Sequence, residues 1–435
     1  MKIGYVVPEF PGSTHIFFWR ELRALEQAGI ACEIVSTHKP DQSRVSHSWS
    51  EEGMRRTTYL LPPRIGRVLG GFWEMFRGGP FAWTRCLRGV LGAAGVKGWR
   101  GRARLSGLAI LGGQLAWLAR RRGWRHVHVH SCADSANIAM FARLLSGLSY
   151  SITLHGHMGD YGPNQRNKWK RAAFATVITN RLLEVVRAEL DGSLPSIVEV
   201  APMGVEVEAF ERKRPYQPWD GAGPARVFSC GRLNPCKGHD QLIRAIGLLV
   251  QRGLDVTLHI AGADDYASQQ NRVELARIID ELKLHGHVKL LGAVAEEKVR
   301  EGLESAHVFA LASRRDELGV ATMEAMAMGL PVVVSRSGGI VELVADGEDG
   351  LLVEPENPAQ MAEAIHRVLR DPDLARRLGE AGRQKVRQKF HSGVSAEVLR
   401  RCLTATVSPR PEGERSTRKP CRTPAMVEPL QQRQT

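Results

Sequence analysis

Two cationic side chains, Arg232 and Lys237, lie close together in the segment formed by residues 231–238. The segment follows a short apolar run and precedes residues with helical periodicity, which places it at the N-terminus of a predicted helix. Unpaired backbone N–H groups and two fixed cations at such a place suit the binding of a diphosphate. The spacing does not match that of a P-loop. A solvated basic turn would explain this segment equally well if it stood alone.

Two carboxylates follow a second apolar run, residues 308–311. Asp316 lies in the loop after this run, and Glu324 lies about one turn inside a helix predicted to start near residue 319. Carboxylates at these places could hold sugar hydroxyls while free backbone N–H groups bind phosphate. Those N–H groups belong to Leu318, Gly319 and Val320. The alternative is an ordinary capped helix whose dipole is complemented by Asp316 or by the neighbouring Glu317.

The elements that would position these loops alternate between short β-rich runs and helical segments along most of the chain. Such alternation predicts parallel sheets covered by helices on both faces, with ligands bound at the carboxyl ends of the strands. The alternation stops in a Pro-rich and charged connection and then restarts. We therefore predict two doubly wound α/β domains, residues 1–204 and 225–390, with a linker at 205–224. A helix at 391–407 and a disordered tail at 408–435 are expected to follow.

The two loops, in this order, resemble those of the retaining glycosyltransferases of the GT-B fold, family 4. The family pattern is a GRLxxxKG loop, two acids separated by seven residues that lead into EAMAxGxPVV, and then a GGIxE loop. The matching residues are Gly231-Arg232-Leu233 with Lys237-Gly238, residues 324–333 and residues 338–342. Residues 203–206 and 346–353 are also similar to the family, so the resemblance covers roughly residues 200 to 370.

The N-terminal half resembles the family more weakly, in the manner of members that build exopolysaccharides. Residues 10–22 are similar to their first loop and helix, and Thr153-Leu154-His155-Gly156-His157 is similar to the strand end that presents the active-site histidine. His155 matches this histidine more closely than His157 does. Gly12, His130 and His157 are candidates for the acceptor side of the cleft.

The resemblance implies two Rossmann-like domains that face a cleft and a role for each matching residue. Arg232 and Lys237 would bind the donor diphosphate, and His155 would approach the reacting sugar from the facing domain. Glu324 would bind the ribose and Asp316 the donor sugar, with Glu317, Leu318, Gly319 and Val320 completing the donor site. The first acid of the family pair is usually Glu, whereas Asp316 is one methylene shorter and has Glu317 beside it as an alternative.

These observations predict a glycosyltransferase that moves a hexose from a UDP- or GDP-linked donor to a saccharide or lipid-linked acceptor. Cell-surface or exopolysaccharide biosynthesis is the expected context, and neither a cofactor nor a metal is expected. Two alternatives stay open, namely a catalytically idle GT-B subunit, suggested by Asp316, and a nucleotide-sugar epimerase of the same fold. His126, His128 and His130 alternate on one predicted strand, which a strand flanked by loops explains more simply than a zinc site.

The charge of the chain is concentrated in one segment. The chain has 435 residues and a formal net charge of +14, and residues 55–125 hold 15 basic side chains against one acid, Glu74. This segment, with five tryptophans, is predicted to be an insert of helical pieces broken at Gly70-Gly71, Gly78-Gly79 and Gly112-Gly113. It is predicted to dock on an anionic membrane surface, whereas nucleic acid is a less fitting partner. The seven cysteines are scattered without CxxC spacing, which favours a cytoplasmic protein, and no run is long enough for a spanning helix.

Overall fold

The computed structural model describes residues 1–12, 15–40, 49–264 and 269–407. The predicted tail at 408–435 lies outside these residues. The first half of the chain forms a parallel seven-stranded sheet with the order β3-β2-β1-β4-β5-β6-β7. Its strands are β1 (Lys2–Glu9), β2 (Ala31–His38), β3 (Thr57–Tyr59), β4 (His126–Val129), β5 (Ser149–Leu154), β6 (Ala175–Val177) and β7 (Val198–Val200). Its helices are α1 (Ile16–Gln27), α2 (Ser50–Arg56), α3 (Ile65–Leu91), α4 (Gly98–Arg122), α5 (Asp134–Ser146), α6 (Gln165–Lys170) and α7 (Asn180–Glu189).

The second half forms a parallel six-stranded sheet with the order β10-β9-β8-β11-β12-β13. Its strands are β8 (Ala225–Cys230), β9 (Val256–Ala261), β10 (Val288–Gly292), β11 (Val308–Leu311), β12 (Val332–Ser335) and β13 (Leu351–Val353). The helices are α8 (His239–Gln251), α9 (Gln270–Glu281), α10 (Glu296–Ser305), α11 (Val320–Ala327), α12 (Ile340–Leu343), α13 (Pro358–Arg370), α14 (Pro372–Lys389) and α15 (Ser392–Val407). The predicted fold class, two doubly wound α/β domains, is confirmed.

In both sheets the strand order reverses beside the first strand. The strand order runs outward from β1 to β3 and then restarts with β4 on the other side of β1, and β8 and β11 are related in the same way. The loops that follow these central strands are the usual ligand-binding loops of such sheets. They include residues 10–12 and 130–133 in the first domain, and residues 231–238 and 312–319 in the second.

The chain crosses between the two domains twice, at two segments that lie side by side. The Val205 N–H donates to the Phe390 carbonyl at 2.9 Å, and the Ser392 N–H donates to the Val205 carbonyl at 2.9 Å. A Cβ on Gly204 would lie 2.5 Å from the His391 backbone, so this close approach requires glycine. After the second crossing, α15 packs against α1 of the first domain, and Leu399 and Leu403 join the apolar cluster that contains Leu22.

The predicted insert at 55–125 differs from the structure in two respects. Residues 57–59 form β3, the edge strand that pairs with β2, so the inserted helical material begins only at Ile65. A three-residue strand of Thr and Tyr beside a basic segment carries too short a pattern for period-2 alternation to be visible. The structure also shows that α3 and α4 together form the connection between this edge strand and β4.

The glycine pairs of the insert were expected to break its helices, and two of the three pairs do not. α3 bends at Gly79, which has φ 66° and precedes Pro80. In contrast, α3 continues through Gly70-Gly71 and α4 through Gly112-Gly113. A Cβ on Gly113 would lie 2.8 Å from the Gly71 carbonyl oxygen, so these glycines allow the two helix backbones to touch.

Replacing Gly113 with valine is expected to lower the free energy of unfolding of the first domain by about 1–3 kcal/mol, because the side chain must push α3 away. Urea unfolding followed by circular dichroism measures this change. Gly107→Val is the matched control, since Gly107 lies in the same helix and a Cβ there would meet nothing within 4 Å. Equal stabilities of the two variants would show that the α3–α4 contact is loose.

Candidate active site

The loop after β8 is fixed against the loop after β11. A Cβ on Gly238, which has φ 64°, would lie 1.8 Å from the carbonyl oxygen of Ala312. The Arg314 N–H also donates to the Cys236 carbonyl at 2.8 Å. This packing brings the Lys237 ammonium to 2.6 Å from Asp316 Oδ2. The structure therefore joins the two loops that the sequence predicted to cooperate, whereas Arg232 is exposed at the start of its loop.

Asp316 is buried at the meeting point of three loops. Besides the ammonium of Lys237, its Oδ2 faces the Ser313 hydroxyl at 3.3 Å. The Gly339 N–H donates to the Asp316 backbone carbonyl at 3.0 Å, and a Cβ on Gly338 would lie 2.1 Å from the same oxygen. The Asp316 side chain is one methylene shorter than that of Glu, but its carboxylate still reaches Lys237.

The helix α11 begins at Val320, four residues after Asp316. Gly319 is its N-cap with φ 76°, and the first bond of its ladder runs from the Met323 N–H to the Gly319 carbonyl. The N–H groups of Val320 and its two successors are therefore available at the start of the helix. Leu318 is buried, so it can offer a ligand only its backbone. Unpaired N–H groups at a helix N-terminus suit the binding of an anion.

Glu317 points to the opposite domain rather than to Lys237. Its Cγ lies 3.9 Å from the position of a Cβ on Gly156, in the turn directly after His155. Burial raises the pKa of the Glu317 carboxyl, which Arg315 and His157 oppose. Glu317 therefore lies where the second domain meets the first.

The second acid of the pair, Glu324, is held by an arginine of the first domain. Arg20 Nη2 lies 2.9 Å from Glu324 Oε1 and 3.8 Å from Glu296 Oε1. The Arg20 guanidinium is buried and packs over the ring of Phe210 at 5.2 Å. Burial raises the pKa of Glu324, and the charge of Arg20 opposes this rise. Arg20 was noted in the sequence only as part of a motif match, because nothing in a linear pattern connects it with Glu324.

Other contacts also close the cleft. Arg315 Nη2 lies 2.8 Å from Asp160 Oδ2 of the first domain. The Glu342 carboxylate accepts from the backbone N–H groups of Asn180 and Arg181, each at 2.8 Å. Since Asn180 begins α7, Glu342 of the second domain caps a helix of the first.

In the first domain, three side chains form a chain of contacts that ends at His155. His155 Nε2 lies 3.1 Å from His130 Nδ1, and His130 Nε2 lies 3.0 Å from Glu21 Oε1. The Tyr5 hydroxyl donates to the same carboxylate oxygen at 3.0 Å. The His130 Nε2–H is not well aligned with Glu21, so this step is a close polar contact rather than a linear hydrogen bond. Glu21 was not predicted as a site residue.

The order of these contacts favours one tautomer for each ring. Burial lowers the pKa of His130 and of His155 to about 3, so both rings are neutral at neutral pH. A carboxylate accepts only, which favours the proton of His130 on Nε2 and leaves its Nδ1 as an acceptor. His155 then donates from Nε2, and its buried Nδ1, which has no partner among the described residues, is left as an acceptor. Through His130, Glu21 therefore favours the tautomer of His155 in which Nδ1 is the acceptor.

The same residues include a geometric candidate for a metal site. Glu21, His128 and His130 each offer a ligand atom, and these atoms lie within 4.8 Å of one another. However, the ring nitrogens of His128 already face the hydroxyls of Ser151 at 2.7 Å and Thr153 at 2.9 Å. The neighbouring His130 is engaged by His155 and Glu21. We interpret this group as a hydrogen-bonded network.

The remaining predicted residues lie at the edge of this arrangement. His157 is exposed, and its Nδ1 accepts from the Gly159 N–H at 3.2 Å, so it caps a short helical turn. Gly12 is buried, and a Cβ there would lie 2.4 Å from His15 Nδ1. The structure therefore places His155, His130 and Glu317 near one another, and neither His157 nor Gly12 belongs to the chain of contacts that ends at His155.

Two doubly wound domains that meet across a cleft of this kind define the GT-B class of glycosyltransferases. The family model described as glycosyl transferases group 1 matches residues 218–385. A GDP-mannose-dependent alpha-(1-6)-phosphatidylinositol monomannoside mannosyltransferase of Mycolicibacterium smegmatis is 34% identical over 58% of this chain and 69% of its own length. The chain belongs to the glycosyl transferases group 1 family, which confirms the resemblance found in the sequence.

Full-length similarity extends to two further proteins. WcaL of Escherichia coli K12, provisionally named a colanic acid biosynthesis glycosyltransferase, is 26% identical over 93% of this chain and 100% of its own length. The crystal structure of Anabaena HepE in complex with UDP-glucose superposes with a TM-score of 0.71, covering 93% of this chain and 100% of that one at 17% identity. At this sequence identity, the superposition with HepE shows a shared fold.

Proposed function

We propose that the protein is a retaining, metal-independent glycosyltransferase of family 4 that uses a UDP- or GDP-linked hexose. The observation that carries this proposal is the 2.6 Å contact between Lys237 and Asp316 shortly before the start of α11, with Glu317 of the same loop facing the turn after His155. Lys237 and the helix N–H groups supply positive charge where a diphosphate would leave, and Asp316 supplies an acceptor for sugar hydroxyls. Donor binding to the second domain, with Glu324 on the ribose, places the anomeric carbon toward the acceptor side.

The proposed reaction breaks the bond between the anomeric carbon and the diphosphate oxygen. The acceptor hydroxyl forms the new bond on the same face of the sugar, and its proton passes to the departing phosphate. Lys237, Arg232 and the α11 N–H groups stabilise the negative charge of the leaving diphosphate. His155 Nδ1 accepts a hydrogen bond from a hydroxyl of the donor sugar and thereby orients it. No protein nucleophile takes part in this scheme.

We further propose that the acceptor is a saccharide or a lipid-linked saccharide in cell-surface or exopolysaccharide biosynthesis at the cytoplasmic face of the membrane. The names of the relatives from Escherichia coli and Mycolicibacterium smegmatis, which refer to colanic acid and to a phosphatidylinositol glycolipid, support this class of product. The net positive charge of the acceptor-side domain is consistent with an anionic lipid surface.

Incubation with labelled UDP- and GDP-hexoses, with and without a membrane extract and with and without EDTA, tests the proposal. We expect transfer that requires the extract, persists in EDTA and gives a product with the anomeric configuration of the donor by NMR. Turnover without any acceptor would instead indicate an epimerase or hydrolase. Absence of donor binding and turnover would indicate an idle subunit, and inversion or EDTA sensitivity would contradict the mechanism.

A further inference from the structure

The outer surface of α3 is strongly apolar. Within the described residues thirteen large hydrophobic side chains are exposed, and ten of these lie between residues 65 and 99. Nine of the ten belong to α3, among them Phe72 (50% exposed), Phe76 (69%) and Phe81 (84%). Helices on the surface of a soluble domain normally turn polar residues outward, so a patch of this kind marks an interaction surface.

This apolar surface is additional to the packing of α3 against its own domain. Gly70 and Gly71 face α4, and Gly89 faces Leu144 and Phe141 of α5, so the inner side of the helix is already buried. The exposed side chains at Leu69, Phe72 and Phe76 follow the spacing of three to four residues that puts them on the opposite side. The outward face therefore has no partner within the described chain.

The charges around this face are of one sign. Glu74 is the one acid between residues 55 and 125, and it is buried with both carboxylate oxygens bound to Arg120, at 2.6 and 2.8 Å. Arg77, Arg85 and Arg88 are exposed on the same helix. Aromatic and aliphatic side chains next to arginines suit the headgroup boundary of an anionic lipid leaflet. A symmetric dimer through this face would instead oppose arginine to arginine.

We propose that the α3 face, defined as Phe72, Trp73, Phe76 and Phe81 with Arg77, Arg85 and Arg88, inserts into the surface of an anionic membrane. The insertion is interfacial, since no helix in the described ranges is long and apolar enough to cross a bilayer. The bend at Gly79 divides the face into two short segments that can lie in the membrane plane.

The position of α3 relates this surface to the cleft. The Asn164 N–H donates to the Ala94 carbonyl, and the Asn167 amide donates to the Gly92 carbonyl, both at 2.9 Å. These bonds join the end of α3 to the segment that follows His155. A membrane seated on α3 would therefore lie on the acceptor side of the cleft. Delivery of a lipid-linked acceptor to His155 rests on the proposed function, whereas membrane binding itself does not.

Sedimentation of the full chain with phosphatidylcholine vesicles, with and without phosphatidylglycerol, tests the proposal without any nucleotide sugar. We expect binding that needs phosphatidylglycerol and weakens with salt, and a blue shift of tryptophan fluorescence on binding. The triple variant Phe72→Ser, Trp73→Ser, Phe76→Ser should bind about tenfold or more weakly, because it removes the inserted apolar groups. Arg77→Glu, Arg85→Glu, Arg88→Glu should have a comparable effect.

Matched controls are available on the second domain. Val273→Ser with Val341→Ser removes exposed apolar groups there, and Lys283→Glu, Lys289→Glu, Lys389→Glu makes the same change in net charge as the arginine variant. Both controls should bind vesicles like the parent protein, and all variants should keep the parent circular dichroism. Unchanged vesicle binding by the α3 variants would overturn the proposal. So would a dimer in sedimentation velocity that the α3 variants dissociate while vesicle binding persists.

Discussion

Replacing Lys237 with alanine lowers kcat/KM for sugar transfer by an expected factor of about 100 or more, because it removes a fixed cation from the departing diphosphate. The geometry that supports this expectation is the 2.6 Å contact between Lys237 and Asp316, which brings the ammonium to the proposed donor site. The affinity for UDP or GDP, measured by calorimetry, should fall as well, because the ground-state diphosphate loses the same partner.

Lys289→Ala is the control for this substitution, since Lys289 is exposed on β10 of the same domain and should leave transfer unchanged. Thermal unfolding of both variants separates a loss of ligand binding from a loss of structure, because Lys237→Ala leaves the buried Asp316 without its cation. Arg232→Ala is expected to have a smaller effect, because the exposed side chain of Arg232 is more easily replaced by water. Nucleotide affinity and transfer that are both unchanged in Lys237→Ala would make the diphosphate assignment wrong.

The second large effect concerns His155. Its replacement by alanine is expected to lower kcat by about 100-fold, because it removes a polar group that contacts the reacting sugar.

Substitutions of His130, which contacts His155, should lower kcat by smaller factors. His130→Leu removes the acceptor for His155 Nε2–H and should lower kcat about tenfold, the cost of one hydrogen bond in a buried site. His130→Asn offers an oxygen near the position of Nδ1 and should restore most of the loss.

Glu21→Gln tests the outer member of the same chain of contacts. The neutral amide no longer fixes the His130 proton on Nε2, so kcat should fall while the affinity for the nucleotide stays unchanged. His157→Ala is the control, because His157 is exposed and caps a turn outside this chain. If His130→Leu and His130→Asn lose activity equally and only in proportion to their stability, the role of His130 is packing alone.

The meeting of the two loops of the proposed donor site could be predicted, because each loop is a local motif that follows a central strand of the same sheet. Gly238 requires a positive φ and meets Ala312, and Lys237 next to it then reaches Asp316, so one contact fixes the two loops. The pairing of Arg20 with Glu324 could not be predicted in this way, because the two side chains are 304 residues apart and belong to different domains. Their contact depends on how the domains face each other.

The glycine pairs of the insert show why composition alone misleads. A glycine is unfavourable in an isolated helix, so Gly70-Gly71 and Gly112-Gly113 were interpreted as breaks. In the folded domain the loss of propensity is offset by close packing, since Gly71 and Gly113 let α3 and α4 touch and Gly112 lets α4 approach α5. Contacts with neighbouring helices therefore keep both helices continuous at these two pairs. Gly79, which has a positive φ and is followed by a proline, does bend α3.

The paired crossings at Val205 and His391 determine how the enzyme can open. A single covalent tether would let the domains swivel about a point, but two adjacent tethers joined by backbone hydrogen bonds define an axis. Opening is then a rotation about that axis, and the ion pairs of Arg20 with Glu324 and of Arg315 with Asp160 must separate together. The proposed ribose contact at Glu324 would require Arg20 to release this carboxylate, which would link nucleotide entry to opening of the cleft.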